Sequence, residues 1–168
     1  SPTEYIHFLA MQSQEILHDV SRTPREKKEL LQTLIIKGCD KKEIARRVLG
    51  IHYKKNSSSD VDEFASLFIT LISKIYAEQF LAFARDEFEV LILGERRENG
   101  WAEVETELIT GTEKYKIHYI MKEMENACWR IVDVSFEGIS LVRNYREQIH
   151  RILNEFPFRV LIEKLRRK

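Results

Sequence analysis

Glycine and proline are scarce in this 168-residue chain, which contains six Gly and three Pro. With 43% apolar and 32% charged residues, that scarcity excludes a collagen-like, low-complexity or disordered chain. The 27 basic and 27 acidic residues cancel, which argues against a nucleic-acid binder held by bulk positive charge. Long apolar runs are missing as well: those such as residues 90–93 are only a few residues long, whereas a membrane span needs about 20. We therefore expect a soluble protein of one domain, residues 1–168.

Cysteine is also rare. Cys39 and Cys128 lie far apart in the sequence, and no Cys/His cluster stands beside either one to complete a zinc site. A long-range disulfide in an oxidising compartment and two unpaired thiols, at least one of them buried, are both open interpretations. The chain begins at Ser1 with no signal-like apolar run after it, as expected of a cleaved or trimmed N-terminus.

The sequence lacks the motifs of common enzyme classes. It has no glycine-rich phosphate loop, no G-x-S-x-G elbow and no H-E-x-x-H pair, and its five histidines show no metal-ligand spacing. Glu103, Glu105 and Glu107 alternate along one predicted strand, which indicates a solvated face. Asp133 interrupts an apolar strand and could serve as a general base in a pocket. A structural hydrogen-bonding role for Asp133 is the interpretation that we favour, so we predict no catalytic residue and no metal site.

Charge is distributed unevenly along the chain. Residues 22–55 hold 11 bases and four acids, and residues 138–168 hold eight bases and three acids. Residues 56–137 hold 17 acids against eight bases. Such blocks steer a charged partner or an anionic membrane surface in some proteins, and in others they are plain solvated faces.

Apolar periodicity predicts helices first and strands afterwards. Helical spacing runs through Tyr5, Phe8, Leu9, Gln12 and Ile16 and then through residues 30–35. A short helix follows, which begins near Asp40 and ends at Gly50, and a long apolar helix begins after an N-cap in the polar run 56–59. The period changes to two near residue 88, where short turns separate about four antiparallel strands. Ser140 begins a final helical part that Pro157 divides. The predicted fold class is α+β, a twisted antiparallel sheet of about four strands packed against N- and C-terminal helices.

One stretch carries a family resemblance. Residues 129–146 read W-R-I-V-D-V-S-F-E-G-I-S-L-V-R-N-Y-R, which closely resembles the signature of the MlaC/toluene-tolerance (Ttg2-type) family of periplasmic phospholipid-binding proteins. Further segments agree in order along nearly the whole chain: I-A-R-R-V-L-G at 44–50, F-A-S-L-F at 64–68, Tyr76, V-E-T at 104–106, Y-x-I-x-Y at 115–119 and R-V-L-I-E-K-L at 159–165. Cys39 departs from the pattern, since the family often has an aromatic residue there.

The resemblance implies a soluble periplasmic carrier that is not an enzyme. Such carriers shuttle phospholipid between an outer-membrane lipoprotein complex and an inner-membrane ABC transporter complex, and so take part in outer-membrane lipid asymmetry. The implied cargo is bound phospholipid, with no cofactor and no nucleic acid, and we expect a monomer in transient contact with the membrane complexes. A small pocket enzyme using Asp133 as base and a ligand-free periplasmic adaptor are the alternatives.

The resemblance also implies an apolar cavity between the helices and the sheet. Residue pattern alone does not distinguish such a cavity from a filled core, because both need the same apolar residue types. The expected lipid-binding residues are Phe64, Leu67, Phe68, Leu71, Tyr76, Phe80, Val104, Thr106, Leu108, Ile117, Tyr119, Met121, Val132, Val134, Phe136, Leu141 and Tyr145.

Overall fold

A computed structural model describes residues 1–84 and 87–168 and has the predicted α+β architecture. Six α-helices surround one face of an antiparallel sheet, and 3-10 turns occur at Gly50–His52 and Glu125–Ala127. The helices are α1 (Pro2–His18), α2 (Pro24–Gly38), α3 (Lys41–Leu49), α4 (Ser58–Phe83), α5 (Leu141–Glu155) and α6 (Phe158–Arg166). The strands are β1 (Phe88–Glu98), β2 (Trp101–Thr110), β3 (Glu113–Glu123), β4 (Trp129–Phe136) and β5 (Ile139–Ser140).

Side-chain caps define where the helices begin. The side chains of Asp40, Ser57 and Ser140 each accept a hydrogen bond from the backbone N–H three residues further on. The sequence predicts caps at Asp40 and Ser140, and it predicts one within the 56–59 run, where the structure selects Ser57. Such a bond satisfies one of the N–H groups that lack a partner in the first helical turn. At its other end α3 stops at Gly50, whose φ of 56° is readily adopted only by glycine.

The sheet is a meander in the order β1-β2-β3-β4-β5. Along β2 the side chains of Ala102, Val104, Thr106 and Leu108 are buried and those of the three alternating glutamates are less so, which confirms the predicted dry and wet faces. The very short β5, which pairs with the end of β4 across the Glu137–Gly138 turn, was not predicted. Two residues carry too little periodicity to be recognised as a strand.

A register shift changes the dry face of β4. Tyr119 pairs with Val134, but Met121 pairs with Ile131, so Val132 has no partner on β3. Strict alternation predicts that Val132, Val134 and Phe136 share one face, and this prediction is wrong at Val132, because a β-bulge inserts an extra residue and shifts the alternation. Ile131 takes the position next to Val134 instead.

The helices form the larger part of the core. α4 packs against α2, α3 and α6, and its Phe64, Phe68 and Ile72 are buried there. By length and composition α4 is apolar enough to cross a membrane, and in this structure it packs against neighbouring helices. A second cluster lies between α1 and the sheet, where Ile6 packs with Ala102 and Met121.

The apolar side of α1 differs from the predicted one. Ile6 and Leu17 are buried, whereas Phe8 is largely exposed. The prediction missed this side because Ser13 lies on it, a polar residue whose hydroxyl donates to the carbonyl oxygen of Leu9 at 2.8 Å. That bond satisfies the hydroxyl locally and makes burial inexpensive.

Candidate functional site

A cavity of about 250 Å³ lies between the helices and the dry face of the sheet. α1 and α2 form one wall, the C-terminal half of α4 forms another, and the four long strands form the third. Apolar side chains make up most of the lining, and the lining includes no Lys, Arg or His among the described residues. Apolar cavities with few polar groups are typical binding sites for apolar ligands.

Nine of the expected lipid-binding residues line this cavity. They come from α4, from β2, β3 and β4, and from the first residue of α5. The nine are Tyr76, Phe80, Thr106, Leu108, Ile117, Tyr119, Val134, Phe136 and Leu141. Contact between these side chains and a lipid remains a prediction.

The other eight expected residues do not line the cavity. Phe64 stacks on Phe68 at 5.3 Å between ring centroids, and the edge of Tyr145 meets Phe68 at 5.2 Å, all within the helical core. Val104 and Met121 pack against α1 near Ile6. The full set away from the cavity is Phe64, Leu67, Phe68, Leu71, Val104, Met121, Val132 and Tyr145.

This division has a physical reason. α4 is apolar over most of its circumference and length, so periodicity does not show which part meets other helices and which part meets the cavity. Because all three were expected in one lipid-binding set, Thr106 would be predicted opposite Phe68 and Leu71, and that packing is wrong by about one helical turn. Thr106 shares the cavity with Ile72 and Tyr76 instead.

The sequence analysis missed the helical wall contributed by α1 and α2. The apolar spacing of Leu31, Leu34 and Ile35 was recognised, but spacing alone does not tell which helix covers a sheet. The unpredicted lining residues are Ile6, Leu9, Ala10, Ser13, Leu31, Leu34, Ile35, Gly38, Cys39, Ile44, Ile72, Gln79, Phe83, Phe88, Val90, Tyr115, Ile131 and Asp133.

The cavity reaches the surface near the end of α4. Among its described lining residues, only Gln79 and Phe83 are exposed, and Phe83 is 46% exposed. The ring of Phe83 lies 5.5 Å from that of Tyr115 and 6.2 Å from that of Phe136, and the latter two rings stack at 5.3 Å. Three contacting rings from α4, β3 and β4 therefore form an aromatic rim at the opening.

Asp133 contributes the only acidic side chain among the described lining residues. Its carboxyl oxygens accept hydrogen bonds from the Ser140 hydroxyl at 2.6 Å, from the Val134 N–H at 2.8 Å and from the Val142 N–H at 3.1 Å. These bonds tie β4 to the start of α5 and confirm the structural role predicted for this residue. A carboxyl group so occupied is poorly placed to accept a proton from a substrate.

Arg146 forms no hydrogen bond or ion pair with Asp133 or Glu137, the two acidic residues of the 129–146 motif that a fixed guanidinium contact would suggest. The Arg146 Nε donates to the backbone oxygen of Arg47 at 2.8 Å, and Glu137 accepts instead from the Lys116 N–H. Arg146 therefore joins α5 to α3. The Asp133 carboxyl group already accepts hydrogen bonds from the Ser140 hydroxyl and the Val142 N–H, which lie nearer to it in the sequence than Arg146 does.

The remaining polar groups of the cavity are neutral or locally satisfied. The Thr106 hydroxyl donates to the Ile117 carbonyl oxygen at 2.9 Å. Burial raises the pKa of Cys39, of Tyr76 and of Tyr119 to about 12, so all three are protonated at neutral pH. The half-buried Cys39 and the exposed Cys128 are both free thiols, which agrees with two unpaired thiols, although neither cysteine is fully buried as that interpretation expected of one of them. The interior therefore offers a ligand mainly apolar contact.

Comparisons with known proteins agree with this geometry. The family model described as MlaC protein matches residues 9–167 of the chain. The phospholipid-binding protein from Ralstonia solanacearum, solved in complex with a phospholipid, superimposes with a TM-score of 0.83 over 98% of this chain and 94% of that one. The two sequences are 14% identical, so this likeness establishes the fold. No match was found among curated proteins.

Proposed function

Because the chain belongs to the MlaC family, we propose that it is a phospholipid carrier that holds acyl chains in the cavity between its helices and its sheet. The carrier works in the periplasm as a monomer and shuttles lipid between an outer-membrane lipoprotein complex and an inner-membrane ABC transporter complex. The observation that carries the binding function is the unfilled apolar cavity with its opening at Phe83. The phospholipid bound by the Ralstonia solanacearum protein of the same fold supports the choice of ligand.

The energetics of such a carrier require a dry slot. Each buried methylene contributes about 0.8 kcal/mol, so two chains of roughly 15 methylenes gain on the order of 20 kcal/mol when they leave water. A bilayer already supplies nearly all of that gain. A carrier must therefore offer almost the same apolar environment, which agrees with a mainly apolar lining in which the Ser13 and Thr106 hydroxyls and the Asp133 carboxyl group are bonded to the protein itself.

The cavity also has to widen on loading. Its volume of about 250 Å³ lies below the roughly 300–1,000 Å³ typical of sites for drug-sized ligands. A phospholipid with two acyl chains is larger than such ligands. We infer that lipid enters at the opening formed by the aromatic rim and that the α1–α2 wall and the sheet move apart as it does so.

The two alternatives receive less support from the same residues. An enzyme using Asp133 as base would need a free carboxyl group and a partner for proton transfer. The Asp133 carboxyl group instead accepts three hydrogen bonds, one from the adjacent Val134 N–H and two from Ser140 and Val142 at the start of α5. A ligand-free adaptor has no need of an unfilled cavity, since empty apolar volume lowers stability.

Lipid analysis of the protein purified without detergent tests the proposal. We expect native mass spectrometry to show a mass increase corresponding to phospholipid, and extraction to yield the same lipid. As a control, the protein is unfolded, stripped of lipid, refolded and mixed with phospholipid vesicles, after which the bound mass should return. A well-folded protein that acquires no lipid in either preparation would contradict the proposed function.

A further inference from the structure

The fold brings two basic segments of the chain together. α3 and the Gly50–His52 turn pack beside α5, although 98 positions separate His52 from His150. The Nε2 of His52 lies 3.2 Å from the Nδ1 of His150, and Arg146 bonds to the backbone oxygen of Arg47. We call the resulting face the basic surface and define it by Arg46, Lys54, Lys55, Arg143, Arg146 and His150.

The charge of the basic surface is largely uncompensated. Residues 40–56 contain six bases and two acids, and one of the acids is the buried Glu43, whose carboxyl group pairs with Arg46 at 2.8 Å. Lys54, Lys55, Arg143 and Arg146 form no ion pair within the described part of the chain.

Two of the three bases of α6 differ in this respect. Glu63 of α4 pairs with both Arg159 and Arg166. The positive field at the basic surface acts on His52, whose pKa is lowered by burial and by the neighbouring His150 and Lys55. An approaching anion therefore meets several cations that have no acidic partner among the described residues.

An exposed aliphatic side chain lies within the basic surface. Ile51 is 64% exposed at the middle of the Gly50–His52 turn, with Lys54 and Lys55 shortly after it. A bilayer matches this combination, because headgroup phosphates attract Lys and Arg while an aliphatic side chain enters the interface between headgroups and acyl chains. Charge complementarity and the exposed Ile51 together select an anionic lipid surface as the partner.

We propose that the basic surface docks the protein onto the headgroups of an anionic bilayer. The inference goes beyond the proposed function, because the basic surface lies by the N-terminal end of α4 and the cavity opens near its C-terminal end at Phe83. A helix of 26 residues is about 39 Å long. A docked carrier therefore keeps its opening away from that bilayer, free to meet a partner.

Flotation with lipid vesicles tests the docking. The full chain should float with mixed phosphatidylglycerol and phosphatidylcholine vesicles at low salt and not with phosphatidylcholine alone. High salt should release it, because the screening length falls from about 10 Å at 0.1 M to about 3 Å at 1 M. Absence of flotation with the anionic vesicles at low salt would overturn the proposal.

Matched variants locate the surface. The double change Lys54→Gln/Lys55→Gln should weaken vesicle binding about 30-fold, since each base near an anionic surface contributes about a factor of five. The control is Lys114→Gln/Lys116→Gln, which removes two exposed lysines of the sheet and should bind as the unmodified protein does. Ile51→Ser should weaken binding and leave its salt dependence unchanged.

Lipid content separates this inference from the proposed function. Lys54→Gln/Lys55→Gln should melt at the same temperature and carry as much lipid as the unmodified protein. Equal vesicle binding by the two double variants would refute the assignment of the basic surface, whatever lipid the cavity holds. Loss of bound lipid from Lys54→Gln/Lys55→Gln would equally refute it, because the surface and the cavity would then not be separate.

Discussion

Thr106→Trp is the substitution that most directly tests whether the cavity holds acyl chains. Thr106 is a buried residue in the middle of β2. It lines the cavity together with Leu108 on the same strand and with Ile117, its partner on β3. An indole at this position would extend into space that the protein leaves unfilled. It would therefore compete with the lipid and leave the surrounding side chains largely in place.

The structure sets the expected size of both effects, the loss of bound lipid and the change in the free energy of unfolding. An apolar cavity of about 150 Å³ accommodates one benzene, so an indole should occupy more than half of the 250 Å³ present here. The substitution also removes the hydrogen bond from the Thr106 hydroxyl to the Ile117 oxygen, which costs about 0.5–1.5 kcal/mol. We expect bound lipid to be lost while the free energy of unfolding falls by only about that amount.

Val104→Trp is the matched control. Val104 lies two residues earlier on the same dry face, but it is fully buried against α1 and does not line the cavity. Overpacking there should cost about 1–3 kcal/mol or more. The molecules that still fold should retain lipid.

The assay has to separate the two effects, because bound lipid itself stabilises the folded state. Both variants are therefore stripped of lipid before denaturant titration, and lipid uptake from vesicles is measured separately by mass spectrometry. A Thr106→Trp protein that binds as much lipid as the unmodified chain would refute acyl-chain binding in this cavity. A loss of stability at Thr106 as large as that at Val104 would show that the position belongs to a filled core.

Three further substitutions or treatments test the structure. Asp133→Ala should lower the free energy of unfolding by about 2–4 kcal/mol in urea titration, because it leaves the N–H groups of Val134 and Val142 without their acceptor; unchanged stability would contradict the network. Gly50→Ala should lower the free energy of unfolding, measured by heat or urea, by about 1–3 kcal/mol, because Gly50 has a positive φ. The control Gly94→Ala should change it by no more than about 0.5 kcal/mol, because no atom lies within 4 Å of the added methyl group. A thiol reagent at pH 8 should label the exposed Cys128 and spare Cys39, whose pKa burial raises to about 12 from its ordinary 9.0. The contribution of Cys39 to stability is complete below about pH 9 and declines as the pH rises towards 12, since only the unfolded chain ionises readily in that range. Fast labelling of both thiols in the folded protein would contradict the raised pKa of Cys39.

Local sequence determined the elements of the fold. The capping residues Asp40, Ser57 and Ser140, the terminating Gly50 and the alternation along β2 each act through neighbours within a few positions, so they could be recognised without a structure. The motif at residues 129–146 identified the family for the same reason, since it is a continuous run of residue types.

Tertiary packing alone decided which apolar residues enclose the cavity. Helical and strand periods show which side chains avoid water, but a filled core and an unfilled slot both satisfy that requirement. Phe68 and Phe80 lie on the same helix and have the same chemistry, yet only Phe80 lines the cavity, because α5 and α6 cover the N-terminal half of α4 and the sheet faces its C-terminal half. The bulge at Val132 and the wall built from α1 and α2 likewise depend on pairing and packing between distant parts of the chain, which no local period records.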